Sequence, residues 1–217
     1  MKVLKHTLVS DGTTDVNLIP IIDWTLKKSA EVELSEGVRA EFWRLPKKPA
    51  DLTDRLVLAV ELFPCDILFV HRDAEKEAPT NRRDEIRVAF DAATARGVEL
   101  PAVAVVPVRM LEAWLLFNEG AIRHAAGNPN GKVPLNLPHL KRAESRPDPK
   151  GELKEALLSA SELKGRRLKK FNTATAFGRI VDFIEDFSPL RELPAFQSFE
   201  DSIKRLKANS WKPDFYS

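Results

Sequence analysis

The chain is poor in cysteine, in long apolar runs and in charge of one sign. Cys65 is the only cysteine among 217 residues, so the fold cannot be stapled by an internal disulfide. A lone thiol ahead of an apolar run fits a small core residue in a reducing compartment. No stretch approaches the roughly 20 apolar residues of a membrane-spanning helix, and residues 1–9 lack the small-residue cleavage site of an export signal. A cytoplasmic protein without a membrane partner is the expectation. The net charge is only +2, too small to announce a polyanion partner by itself. No phosphate-binding loop of the Gly-x-x-x-x-Gly-Lys-Ser/Thr type occurs, so any ATP hydrolysis would have to come from a partner. Internal repeats are absent as well.

What is present is an ordinary globular composition, 43% hydrophobic and 30% charged, long enough for one large domain or a core with an appendage. Strand and helix signals alternate through the first half. Short apolar runs mark strands at 2–9, 38–45, 66–72 and 102–107, with Asp66 to Val70 the clearest. Along 38–45 the alternation puts Val38, Ala40, Phe42 and Arg44 on one face. Helical spacing covers 14–28, 52–63, 80–96 and 110–118, with Gly97 closing the third helix. Pro20 is compatible with the first if that helix begins near Asp15 to Asn17. This order predicts an α/β fold: a four-stranded, mainly parallel sheet with right-handed crossovers, flanked by helices. Five prolines and two glycines make 128–151 irregular, and helical patterns return at 152–160, 174–186 and 196–208. The predicted organisation is an α/β domain over 1–127, with 128–217 as a C-terminal helical appendage packed on it.

Between Lys141 and Lys170 ten basic residues face five acidic ones. That excess is either a phosphate-binding surface or a solvated helix surface, and the sequence alone does not separate the two.

Ligands of open parallel sheets bind beyond the carboxyl ends of the strands. Three of the predicted strand ends carry acids: Asp11 and Asp15 after the first, Asp73 and Glu75 after the third, Glu112 after the fourth. Clustered carboxylates repel one another, and a divalent cation is the usual compensation. Mg²⁺ takes oxygen ligands and keeps waters that a phosphate can displace.

These residues resemble the Toprim family, which includes topoisomerases, primases and nucleases related to the overcoming-lysogenisation-defect proteins. Asp11-Gly12-Thr13-Thr14-Asp15 looks like that family's Glu-Gly-x-x-Asp motif, and Asp73-Ala74-Glu75 like its Asp-x-Asp motif. Leu111-Glu112-Ala113-Trp114-Leu115-Leu116 is similar to a signature of small stand-alone Toprim-like proteins, as is the segment Leu193 to Phe199. The resemblance implies a metal-dependent nuclease acting on DNA or RNA with Mg²⁺ or Mn²⁺. It also implies a role in anti-phage defence beside an ATPase partner, ABC-type or other; homo-oligomerisation stays open.

Carried over residue by residue, the resemblance makes Asp11 and Asp73 catalytic, and Asp11, Asp73, Glu75 and Glu112 the metal ligands. Gly12 and Asp15 support them; helix capping is the competing role for Asp15. Arg72, Arg109 and Lys169 are the candidate phosphate-binding residues. His6 and His71 read as strand residues with satisfied hydrogen bonds. Asp11 stands where the family has Glu, and Glu75 where it has Asp. That exchange motivates a second expectation, a non-catalytic Toprim-fold subunit docking on a partner ATPase or nucleic acid. A receiver-like phosphoacceptor at Asp73 fits less well, because no lysine follows the fourth strand.

Overall fold

A computed structural model describes residues 3–43 and 45–208. Four parallel strands form one sheet: β1 (Leu4–Val9), β2 (Ser35–Arg39), β3 (Ile67–His71) and β4 (Ala102–Val105), in the order β2-β1-β3-β4. The predicted sheet is therefore present, with helices on both faces. β3 is buried along its whole length, as a central parallel strand covered on two sides must be.

The strand predicted at 38–45 begins three residues earlier and ends six residues earlier. β2 pairs with β1 from Leu4↔Ser35 to Leu8↔Arg39. Pairing beside a formed strand overrides the weak intrinsic preference of Ser35, Glu36 and Gly37. One further bond, from the Ala40 N–H to the Leu8 carbonyl at 2.9 Å, continues the ladder before the chain leaves the sheet. Ala40 and Phe42 are buried on the same side, but as a loop packed over the sheet. Arg44 lies outside the described residues, as does Lys2 of the strand predicted at 2–9.

The two faces carry separate cores. Leu68, Val70 and Ala102 face α2 (Leu52–Leu62) and α3 (Pro79–Thr94), which contribute Leu56, Ala59, Ile86 and Phe90. Gly97, at φ +97°, turns the chain after α3 in a conformation that favours glycine. Leu8, Ile67, Phe69 and Val103 face α1 (Leu18–Ser29), preceded by a 3-10 turn at Thr14–Asn17 that leaves Pro20 in the first helical turn.

The same core runs on into the C-terminal half, through α4 (Glu119–Ala125), α5 (Pro149–Ser161), α7 (Thr173–Phe177) and α8 (Pro194–Ala208), while α6 (Gly165–Lys169) buries no residue. The helix predicted at 110–118 is instead a 3-10 turn, Leu111–Leu115, and α4 starts after Asn118 caps it. α5 begins earlier than predicted, because Asp148 caps it and Pro149 occupies its first position, where the missing N–H is harmless. The pattern at 174–186 resolves into α7 and a 3-10 turn, Val181–Phe183. No helix among the described residues is long and apolar enough to cross a membrane.

Phe199 of α8 locks this layer to the sheet, with ring centroids 6.2 Å from Phe69 and 6.1 Å from Trp114. Glu200 adds a polar tie, accepting from Ser29 at the end of α1 and from Arg191. Phe199→Ala should therefore destabilise the whole protein by about 3–5 kcal/mol. Urea unfolding followed by far-UV circular dichroism should show one transition moved to lower denaturant. A second transition left unmoved would mean that the C-terminal helices fold independently of the sheet.

Candidate functional site

β1 is joined to neighbours on either side, so the chain order reverses between β1 and β3. Such a switch point opens a crevice at the carboxyl edge. Here it holds a cleft of about 440 Å³ lined by Asp11, Asp15, His71, Asp73, Glu75 and Glu112, among others.

The loop after β1 is closed by Asp15, whose carboxylate accepts from the Gly12 N–H at 2.7 Å. A Cβ on Gly12 would stand 2.8 Å from Asp15 Oδ1, so a side chain there would displace the carboxylate. Asp15 thus faces backward to its own loop and does not cap the helix ahead of it, and its side chain is nearly buried. The loops after β3 and β4 are stitched together past the last ladder bonds. Ala74 N–H donates to the Pro107 carbonyl at 3.1 Å, and Glu75 N–H to the Arg109 carbonyl at 2.8 Å. Glu75 and Arg109 sit at φ +54° and +66°, a left-handed conformation that costs a non-glycine residue about 1 kcal/mol or more. Asp73 projects from this brace and accepts from the Leu111 N–H at 3.0 Å.

The acids fall into two electrostatic groups. Asp11 is clamped by the guanidinium groups of Arg55 and Arg72. Burial would raise its pKa, but these hydrogen bonds and charges hold it below the usual carboxylate range. Arg72 also pairs with Glu85, which Arg82 holds from the other side at 3.0 Å. Arg82 donates in addition to the Asp73 backbone carbonyl at 3.2 Å.

Asp73 has no such cation. Burial, together with the charges of Asp15 and Glu112, pushes its pKa up to about 7. Burial also raises Glu112, against the pull of Lys150, whose Nζ stands 4.0 Å away. His71 completes the group. Its Nδ1 lies 2.9 Å from the Val105 carbonyl oxygen, which can only accept, so Nδ1 carries the hydrogen. Burial lowers the His71 pKa and keeps the ring neutral. Its Nε2 lone pair therefore faces Asp73 Oδ1 at 3.5 Å and Asp15 Oδ2 at 3.9 Å.

The structure thus gathers Asp15, Asp73 and Glu112 with Glu75 beside them, and ties Asp11 to arginines at the cleft wall. Arg72 is occupied by two carboxylates, and Arg109 contributes its carbonyl to the loop brace. Lys169 is exposed on α6 and does not line the cleft. The sequence reasoning missed Arg55, His71 and Lys150. His71 was signalled by an imidazole two residues before Asp73; Arg55 and Lys150 arrive from distant helices and left no local signal. Among the described residues no three His, Cys, Asp or Glu side chains stand ready-made around a metal position. The fit is chemical: hard oxygen donors with uncompensated charge, the set that Mg²⁺ and Mn²⁺ take. Comparison with family models, curated proteins and solved structures yielded no match.

Asp73 should make stability depend on pH with a definite sign. Its native pKa, about 7, exceeds the ordinary value of 3.8. Between those values the unfolded chain has released a proton that the native state keeps, so stability falls as pH rises and then levels off. At pH 8 without divalent cations, Asp73→Asn should raise Tm by about 4 °C. Mn²⁺ should stabilise the wild type and leave the variant unmoved. Thermal unfolding with Mn²⁺ or chelator reads both effects, and equal Mn²⁺ stabilisation of the two proteins would refute the assignment.

Proposed function

We propose that the protein is a metal-dependent phosphodiesterase, a nuclease acting on DNA or RNA. The observation that carries this is Asp73, a carboxylate at the sheet's switch point whose pKa burial and the neighbouring Asp15 and Glu112 raise to about 7. A site whose carboxylates outnumber the cations beside them selects for a cation.

Asp73, Asp15 and Glu112 would hold Mg²⁺ or Mn²⁺, with Glu75 at the rim; when bound, the ion supplies positive charge to a phosphodiester and its attacking water. The chain's own groups do the rest. Asp73 would have to be ionised to serve as a ligand, and the neutral His71 Nε2 beside it could accept a proton in the cleft. Asp11 does not exchange protons near neutrality, because Arg55 and Arg72 keep it ionised. Its part is to hold the Arg72 guanidinium at the cleft wall, where positive charge can stabilise a phosphate. Lys150, 70% exposed at its side chain, reaches the cleft from α5 and can turn to a substrate anion. The resemblance to defence-associated Toprim nucleases makes anti-phage defence the biological setting, with an ATPase supplied by a partner chain.

One observation favours a second reading. Both oxygens of Asp11 are engaged by arginines, where an active Toprim site would use an acid at this position. A Toprim-fold subunit that docks without cleaving is the alternative.

Incubation with plasmid, single-stranded DNA and RNA, in Mg²⁺, Mn²⁺ or chelator, separates the two. The wild type should cleave only with a divalent cation. Asp73→Asn and Glu112→Gln should each lose about 100-fold or more of that rate. An inert wild type in every cation would sink the hydrolytic reading and leave the docking subunit.

A further inference from the structure

Beside the acidic cleft lies a second concavity of different character. It holds about 460 Å³ between the chain leaving β2 and the start of α2, and shares Asp11 and Arg72 with the cleft. That volume is within the ~300–1,000 Å³ of ordinary ligand sites. Its lining carries four basic side chains against three acidic ones. The cleft has five acids against two arginines and a lysine. Anions are therefore favoured in the groove and cations in the cleft.

Trp43 stands at the groove with 62% of its surface exposed. Single exposed apolar residues are common, but this ring is held in place. Its indole N–H donates to Glu41 Oε2 at 3.0 Å, and Glu41 Oε1 accepts from Arg39 Nη2 at 2.7 Å. Arg39 Nη1 donates in turn to the Gly12 carbonyl at 3.4 Å. A chain of polar contacts thus ties the exposed ring to the loop that closes the acidic cleft. Below it, Phe42 is buried and carries the Arg55 guanidinium over its face at 5.7 Å. The acids of the groove are already engaged: Glu41 with Arg39, Asp11 with Arg55 and Arg72, and Asp51 with the Asp54 N–H at 2.8 Å.

We propose that this groove is a subsite for single-stranded nucleic acid, in which a base stacks on Trp43 and the adjoining phosphate lies toward Lys48 and Arg39. An exposed indole can stack on a base that is not already stacked within a duplex, so a strand is favoured over a duplex. The shared Asp11–Arg72 wall would let one strand occupy the groove and present its next phosphodiester to the cleft. The proposal rests on the phosphodiesterase reading for the class of substrate, and binding tests it apart from cleavage.

Fluorescence anisotropy with short labelled oligonucleotides in chelator, where no metal-dependent cleavage occurs, is the experiment. Single strands of DNA or RNA should bind more tightly than the matching DNA duplex, and comparing the two identifies the preferred sugar. Trp43→Ala should weaken single-strand binding about 10-fold, with Trp43→Phe in between. Lys48→Ala should lower the salt slope by about one. Trp43 and Lys48 lie outside both cores, and circular dichroism checks that the variants are folded. Unchanged binding by Trp43→Ala, a duplex bound as tightly as a single strand, or no binding by the wild type would each overturn the proposal. Strand binding that depends on Trp43, with no cleavage in any cation, would uphold the subsite and remove the hydrolytic function. Cleavage with Trp43→Ala binding unimpaired would do the reverse.

Discussion

Two adjacent parallel strands, β1 and β3, end at the same edge and send their chains to opposite sides of the sheet. Nothing regular can fill the gap between those departures, so the loops that follow must line it. Each begins with an acid within two residues of the strand end, Asp11 after Val9 and Asp73 after His71. The topology therefore concentrates negative charge in a crevice partly withdrawn from water, where repulsion is least screened. Two features of the site respond to that crowding: one acid is paired with two arginines, and another, raised by burial, is driven further toward protonation by its neighbours. Burial holds the His71 pKa down against the pull of the same charges.

The brace between the loops shows how firmly the chain holds this arrangement. Glu75 and Arg109 both occupy left-handed backbone, and the hydrogen bond joining them continues the backbone links between the β3 and β4 loops. Strained conformations persist only where their surroundings over-determine them. Here the surroundings are a fully buried strand on one side and Leu111, at the head of a buried turn, on the other. Asp73 is thereby presented by rigid backbone, with its Oδ1 fixed by the Leu111 N–H.

Much of this was legible from the residues in order. Buried strands announce themselves as short apolar runs, and the residues after them must lie at one edge if the strands are parallel. That placed Asp11, Asp73 and Glu112 correctly with respect to the sheet. Legibility failed where contact, not chain order, decides. Arg55 belongs to a helix that reads as amphipathic packing, yet it neutralises Asp11 from 44 residues away. Lys150 sits in a proline-rich stretch that reads as irregular, yet Asp148 and Pro149 start α5 there and carry it to Glu112. Asp15 has the composition of a cap, and only the proximity of Gly12 turns it back on its own loop. The early start of β2 has the same origin, since Ser35 and Gly37 become strand only because β1 is there to pair with.

The division of charge between the two concavities turns on Arg72, one of the two residues that line both. Arg72 lies against Asp11 on one side and Glu85 on the other, and so cannot swing to neutralise Asp73 without abandoning two ion pairs. Its neighbour Arg82 is likewise committed, to Glu85 and to the Asp73 carbonyl. Positive charge is thus fixed along the wall and withheld from the floor of the acidic cleft. The arginine clamp on Asp11 and the uncompensated carboxylate at Asp73 are for that reason one electrostatic arrangement: the first is the condition for the second.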